Sequence, residues 1–199
     1  MNQDITGFQN EANIAAALHH KKMKELNPLY QTFIADLFQN ITQEDLIECQ
    51  QDYNQKKYDI VITVNGTKKY VSIKKGAKNS VHKEGISSFI HFLIDSQVKQ
   101  TTIIEYLKYH YADGTTNGTG KERTSALVYK KQNQEKIDAI NKEINRPDIL
   151  KKAIDRFVLS GINDGKTIDA ILLGTENDFI WLKKDDIIGG ILAQHKLGR

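Results

Sequence analysis

Over residues 8–25, Phe8, Ala12, Ala15, Leu18 and Lys22 recur at three- and four-residue steps with no Gly or Pro from Gln9 to Leu26. That spacing predicts a helix, which Asn27 and Pro28 end. A second helix is expected over 29–39, on Leu29, Phe33, Ile34, Leu37 and Phe38, and a short third over 43–50, with Thr42 as N-cap and Asp45 three residues on. The pattern then changes period. Tyr58-Asp59-Ile60-Val61-Ile62-Thr63-Val64 is β-branched and aromatic, Asn65-Gly66 is a two-residue hairpin turn, and Thr67 to Lys75 returns as a second strand. Helical spacing resumes over 84–95 and 98–110. Asp113-Gly-Thr-Thr-Asn-Gly-Thr-Gly120 reads as a loop, 124–145 as a polar helix that Arg146-Pro147 breaks, and 148–159 as a helix closed by Gly161. Strands at 168–173 and 179–182 and a helix at 185–192 complete the chain. With no internal repeat and no evident linker, one α/β domain over residues 1–199 is expected, a mixed β-sheet flanked by helices on both sides.

Composition narrows the class. The 199 residues are 39% apolar and 27% charged, as in an ordinary globular domain. No apolar run approaches the ~20 residues that span a bilayer, and the start lacks a basic-then-apolar leader, so a cytoplasmic protein with no membrane partner is expected. A single cysteine, Cys49, excludes an internal disulfide framework and a cysteine-rich zinc site. The net charge is only +3, but residues 56–84 hold eight lysines against Asp59 and Glu84. A basic block inside a mildly acidic remainder suits a surface that meets a polyanion, and equally a solvated lysine-rich hairpin.

The two-residue turn sets the hairpin register: Val64 faces Thr67, and Asp59 faces Ser72. Alternation then puts Asp59, Ser72 and Lys74 on one side of the ribbon and Ile60, Ile62, Val71 and Ile73 on the other. Asp59 and Lys74 are diagonal neighbours, placed for a salt bridge or for holding a metal and a water between them. Glu11 falls on the expected apolar stripe of the first helix, where a carboxylate is costly unless paired or bound to a cation. Glu84 follows Lys74 by ten residues, at the head of the next helix, where it could return over the strand end or simply stabilise the helix dipole.

An acid-bearing helix, an Asp at the head of a strand, a hairpin, and an x-Lys dyad followed by a helix resembles the PD-(D/E)XK nucleases, the restriction-endonuclease-like superfamily. Glu11, Tyr58-Asp59 and Ser72-Ile73-Lys74 carry the resemblance, which covers residues 8–95. Two positions depart from the pattern: Tyr58 stands where the family has Pro, and Ser72 where it has an acid. Some members carry Ser there and draw the missing glutamate from the following helix, the role the resemblance assigns to Glu84.

The resemblance implies a restriction-endonuclease-like mixed sheet and a type II restriction-type endonuclease that hydrolyses DNA phosphodiester bonds with Mg²⁺, or Mn²⁺ in its place. Asp59, Glu84 and the backbone carbonyl of Ile73 would be metal ligands, with Glu11 joining through a water, and Ser72 and Lys74 would complete the catalytic group. Lys74 would face the attacking water. Lys57, Lys68, Lys69, Lys75, Lys78 and Lys83 would contact the DNA backbone, with Asn117, Lys121 and Arg123 of the 113–123 region reaching the bases. A homodimer matches the symmetry of double-strand cutting. Two other readings remain open: a catalytically inactive nuclease-like DNA-binding protein, and a helical interaction protein whose Asp59 and Lys74 simply pair.

Gly161 to Thr167 looks like a phosphate-binding loop, but has three residues between its glycines instead of four and lies between a helix and a strand in the wrong order. The six histidines show no metal-ligand spacing.

Overall fold

A computed structural model describes residues 6–54, 56–76, 84–161 and 165–196. Among them it places eight α-helices and a six-stranded mixed sheet of strand order β1-β2-β3-β4-β5-β6, an α/β protein as the pattern predicts. None of these helices is long and apolar enough to cross a membrane. The sequence places no boundary inside residues 1–199; the contacts gather the chain into two compact units, Met1–His82 with Ile154–Arg199, and Lys83–Ala153.

The first unit holds the whole sheet. Helix α1 (Gly7–Leu18) starts at Thr6, whose hydroxyl accepts from the Gln9 N–H, and buries Asn10, Ile14, Ala15 and Leu18. It is shorter than the expected 8–25 helix. His20 has a positive φ of 56°, and Lys21–Lys22 (β1) pairs with the next strand instead of continuing the helix. Phe8, expected in the core, is 57% exposed against Tyr53, because the buried face is centred one position away. Helix α2 (Pro28–Leu37) has Asn27 as its cap and Pro at its first position, and buries Tyr30, Phe33, Ile34 and Leu37.

The expected helix over 43–50 is instead strand β2 (Leu46–Gln51). Thr42 and Asp45 do bond each other, the Thr42 N–H to Asp45 Oδ2 and the Asp45 N–H to the Thr42 carbonyl, but they close a turn and not a helix. Leu46-Ile-Glu-Cys-Gln alternates exposed and buried, and pairing with β3 (Ile60–Val64) outweighs the local capping signal. The hairpin of β3 and β4 (Thr67–Lys74) has the expected register, Ile60 with Val71 and Val64 with Thr67. Its turn residues Asn65 and Gly66 have φ of 50° and 77°, the left-handed pair that this turn requires.

β4 then runs parallel to β5 (Ala170–Thr175), and β5 turns back antiparallel into β6 (Asp178–Lys183), the last strand of the sheet before α8 (Lys184–Lys196). A seven-residue π-helical segment, Ile154–Ser160, precedes β5. The inner sheet face (Ile47, Cys49, Ile60, Ile62, Val71, Ile73, Ala170, Leu172) packs with α1 and α2 as the core.

The second unit is helical: α3 (Ile86–Asp95), α4 (Gln100–Tyr111), α5 (Ala126–Gln132), α6 (Gln134–Ile144) and α7 (Pro147–Ala153). The expected 124–145 helix is interrupted at Asn133, whose φ of −128° is not helical. Residues between α4 and α5 form a loop in which the Asp113 carboxylate accepts from the N–H groups of Thr115 and Gly120.

Candidate functional site

Asp59 sits one residue before β3, and the backbone holds it on both sides. Its N–H donates to the Val71 carbonyl and its carbonyl accepts from the Asp52 N–H, each at 2.9 Å. Val71 is also the partner of Ile60, so Asp59 and Ile60 both face it and the ladder steps out of the hairpin register by one residue. The backbone pair of Asp59 with Ser72 that the turn predicts is therefore not formed, although the Asp59 side chain reaches Ser72.

One carboxylate oxygen collects the neighbours. Asp59 Oδ2 accepts from Ser72 Oγ at 3.0 Å and from the backbone N–H of Ile73 in a short bond, and lies 3.6 Å from Lys74 Nζ. Ser72 is 3% exposed, so its hydroxyl acts as a buried donor to the aspartate in the position where the family pattern has an acid. Lys74 ends β4 with its side chain 36% exposed, which leaves the ammonium beside both the carboxylate and solvent.

Glu11 joins this group from α1. Burial pushes its carboxyl above the usual range, the negative charge of Asp59 pushes in the same direction, and a hydrogen bond from Gln51 with the positive charge of Lys74 opposes them. Gln51, the last residue of β2, donates from Nε2 to Glu11 Oε2 at 3.1 Å and to the Phe8 carbonyl at 3.3 Å. Sequence reasoning missed Gln51. Its signal is its place at the end of β2, one residue past the segment where the capping pattern predicts a helix.

The arrangement therefore brings Glu11, Asp59, Ser72, Ile73 and Lys74 together, with Gln51 added. Two nearby carboxylates, one hindering the other's ionisation, form an oxygen-donor pair suited to a hard divalent cation. Among the described residues there is no group of three or more His, Cys, Asp or Glu arranged to hold a metal ion. Glu84 lies at the start of the second unit, ahead of α3.

Tyr58, at the family's Pro position, is 4% exposed and packs its ring 4.7 Å from that of Tyr70. Lys56 donates to the Tyr58 hydroxyl at 3.0 Å and Lys166 to the Tyr70 hydroxyl at 2.9 Å, so two lysines outside the expected set flank this pair.

Of the lysines expected to meet DNA, Lys68 is exposed on β4, whereas Lys69 is paired with Asp169 at 2.9 Å. The Lys57 stem lies beside Gly161, and Lys75 follows β4 directly. Lys78 and Lys83 lie outside the described residues. Asn117, Lys121 and Arg123 are exposed in the second unit, where Asn117 Oδ1 accepts from the Thr119 hydroxyl and Arg123 donates to the His110 carbonyl. A cleft of about 810 Å³ opens at the far end of the hairpin, lined by Asp36, Asn65, Asp169 and Asp186 among others, and does not include Asp59 or Lys74.

The sequence matches no protein-family model, and no curated protein matches it.

Proposed function

We propose that the protein is a metal-dependent endodeoxyribonuclease with a restriction-endonuclease-like site, hydrolysing DNA phosphodiester bonds as a type II restriction-type enzyme does. The observation that carries this reading is the placement of Lys74 Nζ 3.6 Å from Asp59 Oδ2, with Glu11 near enough for both charges to act on it. A helix-borne acid, an aspartate before a strand and a lysine at the end of the paired strand is the order of groups that the family resemblance requires.

In this reading Asp59 and Glu11 supply carboxylate oxygens to a Mg²⁺ or Mn²⁺ ion, which when bound offsets charge on the scissile phosphate and lowers the pKa of a coordinated water. Lys74 faces the attacking water and steadies negative charge as the phosphorus becomes five-coordinate. Ser72 and the Ile73 N–H hold Asp59 Oδ2, and Gln51 holds Glu11 Oε2, so both carboxylates meet the substrate in fixed orientations. Glu84 is assigned the remaining carboxylate, and Lys57, Lys68 and Lys75 the DNA backbone.

A second reading, DNA binding without cleavage, is favoured by one specific observation: Asp59 Oδ2 is already satisfied by a hydroxyl, an amide and an ammonium, as a purely structural carboxylate would be. Incubating unmodified DNA of varied sequence with wild type and Lys74→Ala in Mg²⁺, Mn²⁺ or a chelator separates the two. Metal-dependent cleavage that Lys74→Ala abolishes supports the enzyme. Salt-sensitive binding with no cleavage under any condition supports the second reading.

A further inference from the structure

β6 is the edge of the sheet, and its outward face is apolar. The register aligns Lys74 with Leu173 and Leu173 with Ile180, and Ser72 with Ile171 and Ile171 with Leu182, so these side chains share the face turned away from the core. Ile180 is 64% exposed, Leu182 52% and Leu173 40%, and with Ile171 they form a two-by-two block on adjacent strands. Edge strands normally carry a central charge, a proline or a bulge that blocks further pairing. β6 has none between Asp178 and Lys183.

The hydrogen-bonding side of each β6 residue follows from its turn. Glu176 and Asn177 form a two-residue hairpin turn, so Thr175 and Asp178 are a bonded pair, and so by alternation are Leu173 with Ile180 and Ile171 with Leu182. The Lys184 N–H, bonded to the Asp169 carbonyl, continues the same series. Phe179 and Trp181 therefore direct their N–H and C=O groups to the open edge, as Lys183 does its N–H, while the Lys183 carbonyl is the first acceptor of α8.

We propose that β6 pairs antiparallel with β6 of a second copy of this chain about a two-fold axis perpendicular to the sheet, with Trp181 opposite its own mate. This register sets Ile180 against the second copy's Leu182 in both directions at once, and brings Asp178 to the second copy's Lys184, the first residue of α8, whose ammonium lies 3.8 Å from Asp155 of its own chain. Sliding by one symmetric step opposes Leu182 to Asp178, or Ile180 to Lys184. Only the central register matches apolar with apolar and acid with base. It also lets Trp181 exchange both bonds with its mate and the Phe179 carbonyl accept from the second copy's Lys183 N–H. Asp36 of α2 accepts from Trp181 Nε1 at 2.8 Å and from Lys183 at 2.7 Å, which holds the inner side of the strand and leaves the edge presented.

The inference stands without the nuclease reading. With it, the perpendicular axis turns both Asp59–Lys74 groups to one side of a continuous sheet, with five strand steps between the two β4 strands, roughly 25 Å at ~4.8 Å per step.

Sedimentation equilibrium of the full chain tests the pairing: wild type is expected as a dimer and Ile180→Lys as a monomer with unchanged circular dichroism. The register is tested by cysteine mixing. Ile180→Cys and Leu182→Cys chains, oxidised together, are expected to cross-link as a mixed dimer, since facing non-bonded pairs have the Cα separation a disulfide needs, while neither cross-links to itself. A monomeric wild type, a dimer that survives Ile180→Lys, or self-cross-linking of Ile180→Cys would overturn the proposal.

Discussion

Replacing Asp59 with alanine removes one oxygen shared by three groups, and the structure sets what each loses. The Ile73 N–H lies in a residue only 4% exposed and would be left without an acceptor, a cost of about 1–3 kcal/mol. The Ser72 hydroxyl, also buried, can rotate and adds on the order of 1 kcal/mol. Lys74 is exposed enough to turn to solvent, so the ion pair adds less than about 1 kcal/mol. Together Asp59→Ala should lose about 2–4 kcal/mol. Asp59→Asn retains a carbonyl oxygen that can still accept from Ser72 and Ile73, and should lose about 1 kcal/mol as charged hydrogen bonds become neutral ones. Urea unfolding followed by circular dichroism measures both. If Asp59→Ala falls within about 0.5 kcal/mol of wild type, the range of an unremarkable surface change, the carboxylate does not organise the strand end. Equal losses for the two variants would show that the charge and not the acceptor geometry matters.

Three further outcomes follow from the same contacts. The Glu11 carboxyl is raised by burial and by Asp59, so the folded state holds more protons than the unfolded one just above pH 4.5, and stability falls as pH rises through that window. Glu11→Gln, measured in chelator, should flatten that fall and be the more stable protein at neutral pH; a steeper fall would contradict the assignment. The Cys49 thiol is buried and pushed up to about 12, so native protein at pH 8 should react with a thiol reagent at least tenfold more slowly than urea-unfolded protein. Gly174 has a φ of 139°, and a Cβ there would meet Phe179 Cα at 2.6 Å and the Asp178 carbonyl oxygen closer still. Gly174→Ala should therefore cost about 2–3 kcal/mol in urea unfolding, with a loss below 0.5 kcal/mol showing that the hairpin adjusts freely.

The hairpin was legible because its turn chemistry and period agree: Asn65-Gly66 sets a register that can be counted to Ile60 and Val71 without any tertiary information, whereas the one-residue step at Asp59 leaves no mark in the pattern. Lys74 followed from the same count. The misreadings share a cause. Leu46 to Gln51 has few strong strand formers and a capping signal in front of it, and only pairing with Ile60 to Val64 makes it a strand. With that strand unseen, Gln51 could not be placed beside Glu11. The pattern extends the first helix past its end because nothing in Lys21 or Lys22 forbids a helix; their pairing with Ile47 and Leu46 is a long-range event. Glu11 was recognised as a carboxylate in an unfavourable position, but its neighbours could be identified only once α1 and β2 were in contact. The apolar outer face of β5 and β6 was not legible as a surface, since alternate residues on both faces are apolar and pattern alone does not tell inside from outside.

Cleavage of unmodified DNA by wild type and Lys74→Ala, in Mg²⁺ and in chelator, tests the central claim most directly. The account predicts products from wild type that need the metal, and at least a hundredfold loss of rate in Lys74→Ala with unfolding behaviour close to wild type. Equal cleavage by both proteins, or cleavage that persists in chelator, would contradict it.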